Sequence, residues 1–306
     1  MIVAELIPFF LAVQLPTKDV AWPHGPEYIF TVHMNVTGIP QCPHHVSACG
    51  DPSGYRITSR LHCTPKRNDT LSCGLRHVDG FEFGEKDFAN QRRNLIEAPS
   101  ELLFNEKGVD SIVTSQLTRV YDLNNLKTVA EQLHPGSDFN NIGNGSVVQD
   151  VTASTIGKCN VTFDVYHRLD ENAKPSRRNY QLIIQPLRLH MTSEQTLVID
   201  KTTNLNDCSC YADSYFGKYG DKVVDERLKS NLDMMVSHME INDASFSSST
   251  TRKGTSTSNN KLYNITEITK VILEDIRPAT RDAPAIVKPG ETKIIANDDI
   301  RSISTG

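Results

Sequence analysis

The 306-residue sequence predicts a mainly β chain, antiparallel in its sheet and interrupted by one short helix. Three observations carry this. Apolar and polar residues alternate with period two along most of the chain, and tracts rich in Pro, Asn, Asp and Gly separate the alternating runs. One segment alone combines three- and four-residue apolar spacing with a capping residue and a stop signal.

The first sustained alternation covers residues 27–37, with Tyr28, Phe30, Val32, Met34 and Val36 on one face. Residues 55–63 repeat it, placing Tyr55, Ile57, Leu61 and Cys63 inward and Arg56, Thr58, Arg60 and His62 outward. Residues 64–70 supply turn chemistry, and Leu71, Cys73 and Leu75 alternate again, so the two runs form an antiparallel hairpin that brings Cys63 opposite Cys73. A second hairpin joins Leu102-Leu103-Phe104 to residues 109–120 through a turn ending at Gly108. A helix follows over residues 122–133, capped by Asp122, with Leu123, Leu126, Val129, Ala130 and Leu133 on its apolar face and Pro135-Gly136 as its stop. Twelve residues are too few for a helix to stand alone, so it must pack against or inside the sheet. Further alternation runs through Cys159, Val161, Phe163 and Val165, through Tyr180, Leu182, Ile184, Leu187, Leu189 and Met191, and through Leu197 and Ile199. Residues 221–238 read as a second helix and residues 245–260 as a Ser/Thr/Asn-rich loop. Residues 262–276 fit a helix by period and a strand by their β-branched composition.

Composition narrows the function. Hydrophobic residues at 38% are enough for a packed core and exclude a disordered or fibrous chain. Thirty-two basic against 37 acidic residues give a net charge of −5, with no broad electrostatic drive towards nucleic acid or anionic membrane. No apolar run is long enough for a transmembrane segment; Leu6 to Val13 has the length of a signal-peptide core, which makes residues 1–20 a candidate leader or signal peptide, whereas Glu5 and the lack of a preceding Lys or Arg fit a disordered N-terminus instead. The seven cysteines are spread as structural bridges in an oxidising compartment would be, with Cys42–Cys49 and Cys63–Cys73 paired by spacing; seven is odd, so one thiol is left over or paired between chains. Sequons at Asn35, Asn68, Asn144, Asn160 and Asn264 are little above chance in number and agree with secretion.

Several blocks in order resemble the vitellogenins, members of the large lipid transfer protein family with apolipoprotein B and the microsomal triglyceride transfer protein. They are Trp22-Pro23-His24-Gly25-Pro26-Glu27-Tyr28 leading to Thr37-Gly38-Ile39-Pro40, the strand–Gly108–strand block, the helix from Asp122 to Leu133, Thr155-Ile156-Gly157-Lys158-Cys159, and Asn206-Asp207-Cys208 followed by Phe216-Gly217. The resemblance implies an antiparallel β-barrel of the vitellogenin/lipovitellin N-sheet type around a central α-helix, spanning residues 21–290 with a C-terminal tail at 291–306. It implies a strand at 262–276 and a Cys159–Cys208 bridge, which together with the two pairings by spacing leaves Cys210 as the spare thiol. It also implies a secreted protein that handles lipid or lipoprotein, or docks to a low-density-lipoprotein-receptor-type cell-surface receptor.

Candidate chemistry is sparse. Cys42, His44, His45 and Cys49 are zinc-binding types at irregular spacing, which favours a disulfide or plain loop. Gly143-Asn144-Gly145-Ser146 lacks the closing glycine of a nucleophile elbow, Asp298-Asp299 reads as a solvated pair, and no phosphate-binding loop or zinc-protease helix occurs. The basic clusters Lys66-Arg67, Arg92-Arg93 and Lys174 with Arg177-Arg178 read first as solvated surface and second as receptor contacts. The sequence is therefore read as non-catalytic, without cofactor other than bound lipid; the alternative is a standalone extracellular recognition module in defence or signalling that has lost lipid carriage.

Overall fold

The computed structural model describes residues 2–4, 12–15, 22–41, 50–67, 69–84, 97–139, 145–169, 181–183, 195–209, 229–258, 261–295 and 300–303. Thirteen strands form one antiparallel sheet: β3 (Pro26–Pro40), β4 (Ser53–Arg67), β5 (Thr70–Phe83), β6 (Pro99–Asn105), β7 (Gly108–Ser115), β8 (Ser146–Ser154), β9 (Gly157–Leu169), β11 (Gln195–Ser209), β12 (Lys229–Ile241), β13 (Phe246–Ser258), β14 (Lys261–Pro278), β15 (Pro289–Lys293) and β16 (Arg301–Ser302). Their order is β16-β15-β7-β6-β5-β4-β3-β14-β13-β12-β11-β9-β8. β1 (Ile2–Ala4), β2 (Ala12–Leu15) and β10 (Gln181–Ile183) make a separate three-stranded sheet.

Two meanders, β3 to β7 and β11 to β14, are joined where β14 pairs with β3 along 15 registered residues. The core face follows the alternation: Tyr28, Phe30, Val32, Met34 and Val36 are buried, as are Leu61 and Cys63 on β4 and Val161, Phe163 and Val165 on β9. β15 straddles position 290 and pairs with β7 and β16, so the sheet runs on into the expected tail.

The only helix among the described residues, α1 (Val120–Glu131), connects β7 to β8, strands near opposite ends of the sheet order. The sheet rolls until the β6–β7 turn reaches β8, where Lys107 Nζ lies 2.6 Å from Asp150 Oδ2. A closed barrel is nevertheless not formed. Among the described residues no ladder joins β8 to the β7 side, because the chain leaving α1 passes through the seam: Gly136 N donates to Lys107 O (2.8 Å) and Ser137 Oγ to Asp150 Oδ2 (2.9 Å). The expected barrel is thus an open, curled sheet held edge to edge by side chains and one crossing segment.

Gly108 makes that crossing possible. Its φ of +127° is disfavoured for any other residue, and a Cβ there would lie 2.5 Å from His134 Nδ1 and 3.0 Å from Pro135 Cδ. Gly108→Ala should lower the unfolding free energy by about 2–3 kcal/mol in urea titration.

Three sequence expectations are corrected. Of the expected helix 221–238, residues 229–238 belong to β12; a bulge between Leu232 and Met234 breaks period two and puts the inward Leu232 and Met235 three apart, as in a helix. The Ser/Thr-rich stretch 245–260 is no loop through residue 258: it is β13, with Phe246, Ser248, Thr250, Arg252 and Ser256 buried on the inner face. Asp122 does not cap α1. Arg119 holds the N-cap position without a side-chain cap, and Asp122, in the first turn, pairs with Arg119 Nε at 2.7 Å.

Candidate functional site

The concave face is where this architecture would hold a ligand, and α1 occupies it. Leu123, Val129, Ala130 and Leu133 are buried and Leu126 is half-buried, as the apolar stripe requires. The opposite side of the helix is buried too: Asn124, Asn125, Lys127, Thr128, Glu131 and the following Gln132 are all enclosed. A polar side chain enclosed in this way needs partners, and the sheet supplies them. Lys127 Nζ donates to Ile295 O at 2.7 Å, and Gln132 Nε2 donates to Thr250 Oγ1 at 3.0 Å, while Gln132 Oε1 accepts from Ser248 and Thr250 hydroxyls at 3.2 Å.

The strongest tie is ionic. Arg252 on β13 reaches Glu131 Oε2 at 2.5 Å and Glu267 Oε1 on β14 at 3.1 Å, and also bonds the Thr155 hydroxyl. Glu131 in turn accepts from Thr155 N at 3.2 Å and Thr155 Oγ1 at 3.0 Å. Burial works against the guanidinium charge, but Glu131 and Glu267 outweigh it and raise the Arg252 pKa above its ordinary value. The inner face of β13 is hydrophilic because it binds the helix.

Beyond the helix, Lys201 Nζ donates to His134 O at 2.7 Å, and His134 Nε2 bonds Thr152 Oγ1 at 2.9 Å. Burial, with the neighbouring Lys201 charge, pushes the His134 pKa down to about 3; burial brings Lys201 down to about 8, against the attraction of Glu131. Folded His134 therefore resists a proton that the unfolded chain takes up near pH 6.5. This stability is present above pH 6.5 and lost as pH falls towards 3. By pH 4.5 the loss should amount to roughly 2–3 kcal/mol, measured as the difference in urea-unfolding free energy between pH 7.5 and 4.5 that His134→Gln abolishes.

On the outer face, a cavity of about 200 Å³ lies over β4 and β5, roofed by residues 279–284. Glu27 accepts from His62 Nδ1 at 3.0 Å and from Arg277 Nε at 2.8 Å, and Arg76 approaches to 4.0 Å. Burial opposes the Glu27 carboxylate, yet the His62 and Arg277 bonds prevail and lower its pKa; for His62 burial prevails over Glu27, lowering its pKa as well. Thr64 and Ser72 line the cavity, and His62 Nε2 is buried beside it without a hydrogen-bond partner. At this volume the cavity falls below the range of drug-sized ligand sites. Nothing in the sequence pattern marked it, since Glu27, His62 and Arg277 are 35 to 250 residues apart and meet only through strand register.

The structure joins Cys63 to Cys73 and Cys159 to Cys208, each a directly opposed cross-strand pair. Of the sequon asparagines, Asn264 is exposed and accepts from Gln41 Nε2 (2.5 Å), Asn35 is half-buried and accepts from Arg56 Nε (3.4 Å), and Asn160 donates to Asp207. Lys66 is engaged with Glu101 at 2.6 Å. The Cys42–Cys49 pairing, His44, His45, Cys210, Asn68, Asn144, Asp298-Asp299, the basic clusters at 92–93 and 174–178 and most of the leader lie outside the described residues.

No family model and no curated protein matches the sequence. Among solved structures the fold is similar to that of lipovitellin, in a structure concerned with lipid–protein interactions in that protein: the TM-score is 0.56 at 11% identity, covering 93% of this chain and 28% of the lipovitellin chain. The mainly β, lipovitellin-like fold is therefore shown, over a segment just above a quarter of lipovitellin's length. No helix among the described residues is long and apolar enough to cross a membrane.

Proposed function

We propose that this protein is a secreted, non-catalytic binding module of lipid-transport type, which meets lipid or lipoprotein with its outer surface. The fold likeness to lipovitellin across 93% of the chain carries the reading. The concave face, filled by α1 and its ion-paired polar partners, directs binding to the exterior. Two cross-strand disulfides fit an oxidising compartment, and among the described sequons the exposed Asn264 is the one best placed to carry a glycan. A low-density-lipoprotein-receptor-type receptor is the cell-surface partner to try first. The polar cavity around Glu27 and His62 favours a second reading, a recognition module that binds a small polar group and carries no lipid. Lipid extraction and native mass spectrometry of protein secreted from cells decide between them. Co-purifying lipid supports the first; protein that is intracellular, or secreted without lipid and unable to bind lipoprotein, overturns it.

A further inference from the structure

Four of the exposed large aliphatic side chains gather at one corner of the sheet. Leu117 (71% exposed) and Val120 (59%) stand on the turn from β7 into α1, Val287 (71%) precedes β15, and Ile303 (39%) follows β16. Strand register brings Leu117, Val287 and Ile303 together, since Ser115 pairs with Pro289 and Gly290 with Ser302, and Val120 follows three residues after Leu117 at the start of α1. The corner is rigidly built. Gln116 N donates to Lys288 O and Gln116 Nε2 to Pro289 O, both at 3.0 Å, Leu117 N bonds Ser115 Oγ at 3.2 Å, and Thr118 N bonds Ser115 O at 2.9 Å. Its rim carries exposed Lys288 and Arg301, with Glu291 standing opposite Arg301 in the ladder and Asp122 neutralising Arg119, so Lys288 is the cation left in excess.

A soluble surface seldom clusters aliphatic side chains this exposed without a partner. Aliphatic tips on fixed turns, flanked by the exposed Lys288 and Arg301, match a phospholipid surface, where acyl chains lie directly beneath phosphates. We propose that this corner seats the protein on phospholipid: Leu117, Val120, Val287 and Ile303 enter the acyl boundary while Lys288 and Arg301 meet the phosphates. The proposal rests on the lipid reading above and locates its contact surface, leaving α1 in place.

The test is co-sedimentation of the full chain with vesicles of phosphatidylcholine, alone or with phosphatidylserine. Burying each aliphatic tip is worth about a tenfold change in partitioning. Leu117→Ser with Val287→Ser should therefore weaken binding at least about tenfold, whereas Val147→Ser with Val151→Ser, exposed valines on the far-edge strand β8, should leave it unchanged. Lys288→Glu with Arg301→Glu should remove only the increment due to phosphatidylserine. The corner is wrong, and the lipid reading intact, if Leu117→Ser/Val287→Ser binds like wild type, if both serine pairs lose binding equally, or if the wild type extracts lipid yet ignores vesicles. Loss of self-association in Leu117→Ser/Val287→Ser with vesicle binding retained would make the corner a contact between copies and overturn the proposal. Wild type that neither sediments with vesicles nor carries extractable lipid defeats the proposal and the reading together.

Discussion

Replacing Arg252 by Met lowers the unfolding free energy by about 3–5 kcal/mol, because it strips the buried Glu131 and Glu267 of the guanidinium that bonds both and leaves Glu131, of the described cations, only the through-space attraction of Lys201. The Glu131 carboxylate retains Thr155 N and Oγ1, which satisfy hydrogen bonding but supply no charge. Pairing Arg252→Met with Glu267→Gln should therefore cost less than the sum of the single changes, since one stranded charge is removed with the cation. Urea titration of the three variants reads this directly; additive losses would show that Arg252 and Glu267 do not act as a pair, and a loss under 1 kcal/mol for Arg252→Met would show that this ion-pair network does not hold the helix. Stability aside, the variant should loosen α1, because Arg252 is the sheet's ionic hold on the helix terminus.

The second large loss comes from opening Cys159–Cys208. The bridge spans 49 residues, so its removal frees the unfolded chain by about 4 kcal/mol in the loop-entropy account, against about 3 kcal/mol for Cys63–Cys73, which spans 10. Cys159→Ala with Cys208→Ala should accordingly destabilise more than Cys63→Ala with Cys73→Ala, in denaturant midpoints compared at equal slope. The reverse order would mean that packing of the inward sulfurs, not loop closure, sets the contribution. Cys63 and Cys73 are the more deeply buried pair, so the comparison separates the two effects.

How far the sequence foretold this molecule depends on what each inner face touches. Strands whose inner face meets apolar neighbours were legible: Tyr28 to Val36 on β3 and Val161 to Val165 on β9 alternate without interruption. β13 was not, because its inner face carries Ser248, Thr250 and Arg252 to bind a helix, and hydrophilic inward positions erase the apolar alternation that identifies a strand. β12 was misread because its bulge converts period two into spacing that mimics a helix. The apolar face of α1 was plain in the sequence; that its polar face is buried as well was not, since its partners lie on β13, at Thr155 in the β8–β9 turn and on the segment after β15, away from it in the chain. The corner of Leu117, Val120, Val287 and Ile303 was illegible for the same reason, being assembled by register across three elements.

If lipid meets the outer surface, the concave face stays filled by α1 while the outside binds. Hydrogen–deuterium exchange of the full chain, with and without phosphatidylcholine vesicles, tests it most directly. The account predicts that vesicles slow exchange at residues 116–120 and 286–290 and leave the amides of residues 123–131 unchanged. Faster exchange at 123–131 on adding lipid, with 116–120 and 286–290 unaffected, would mean that lipid displaces the helix and enters the sheet, and would contradict it.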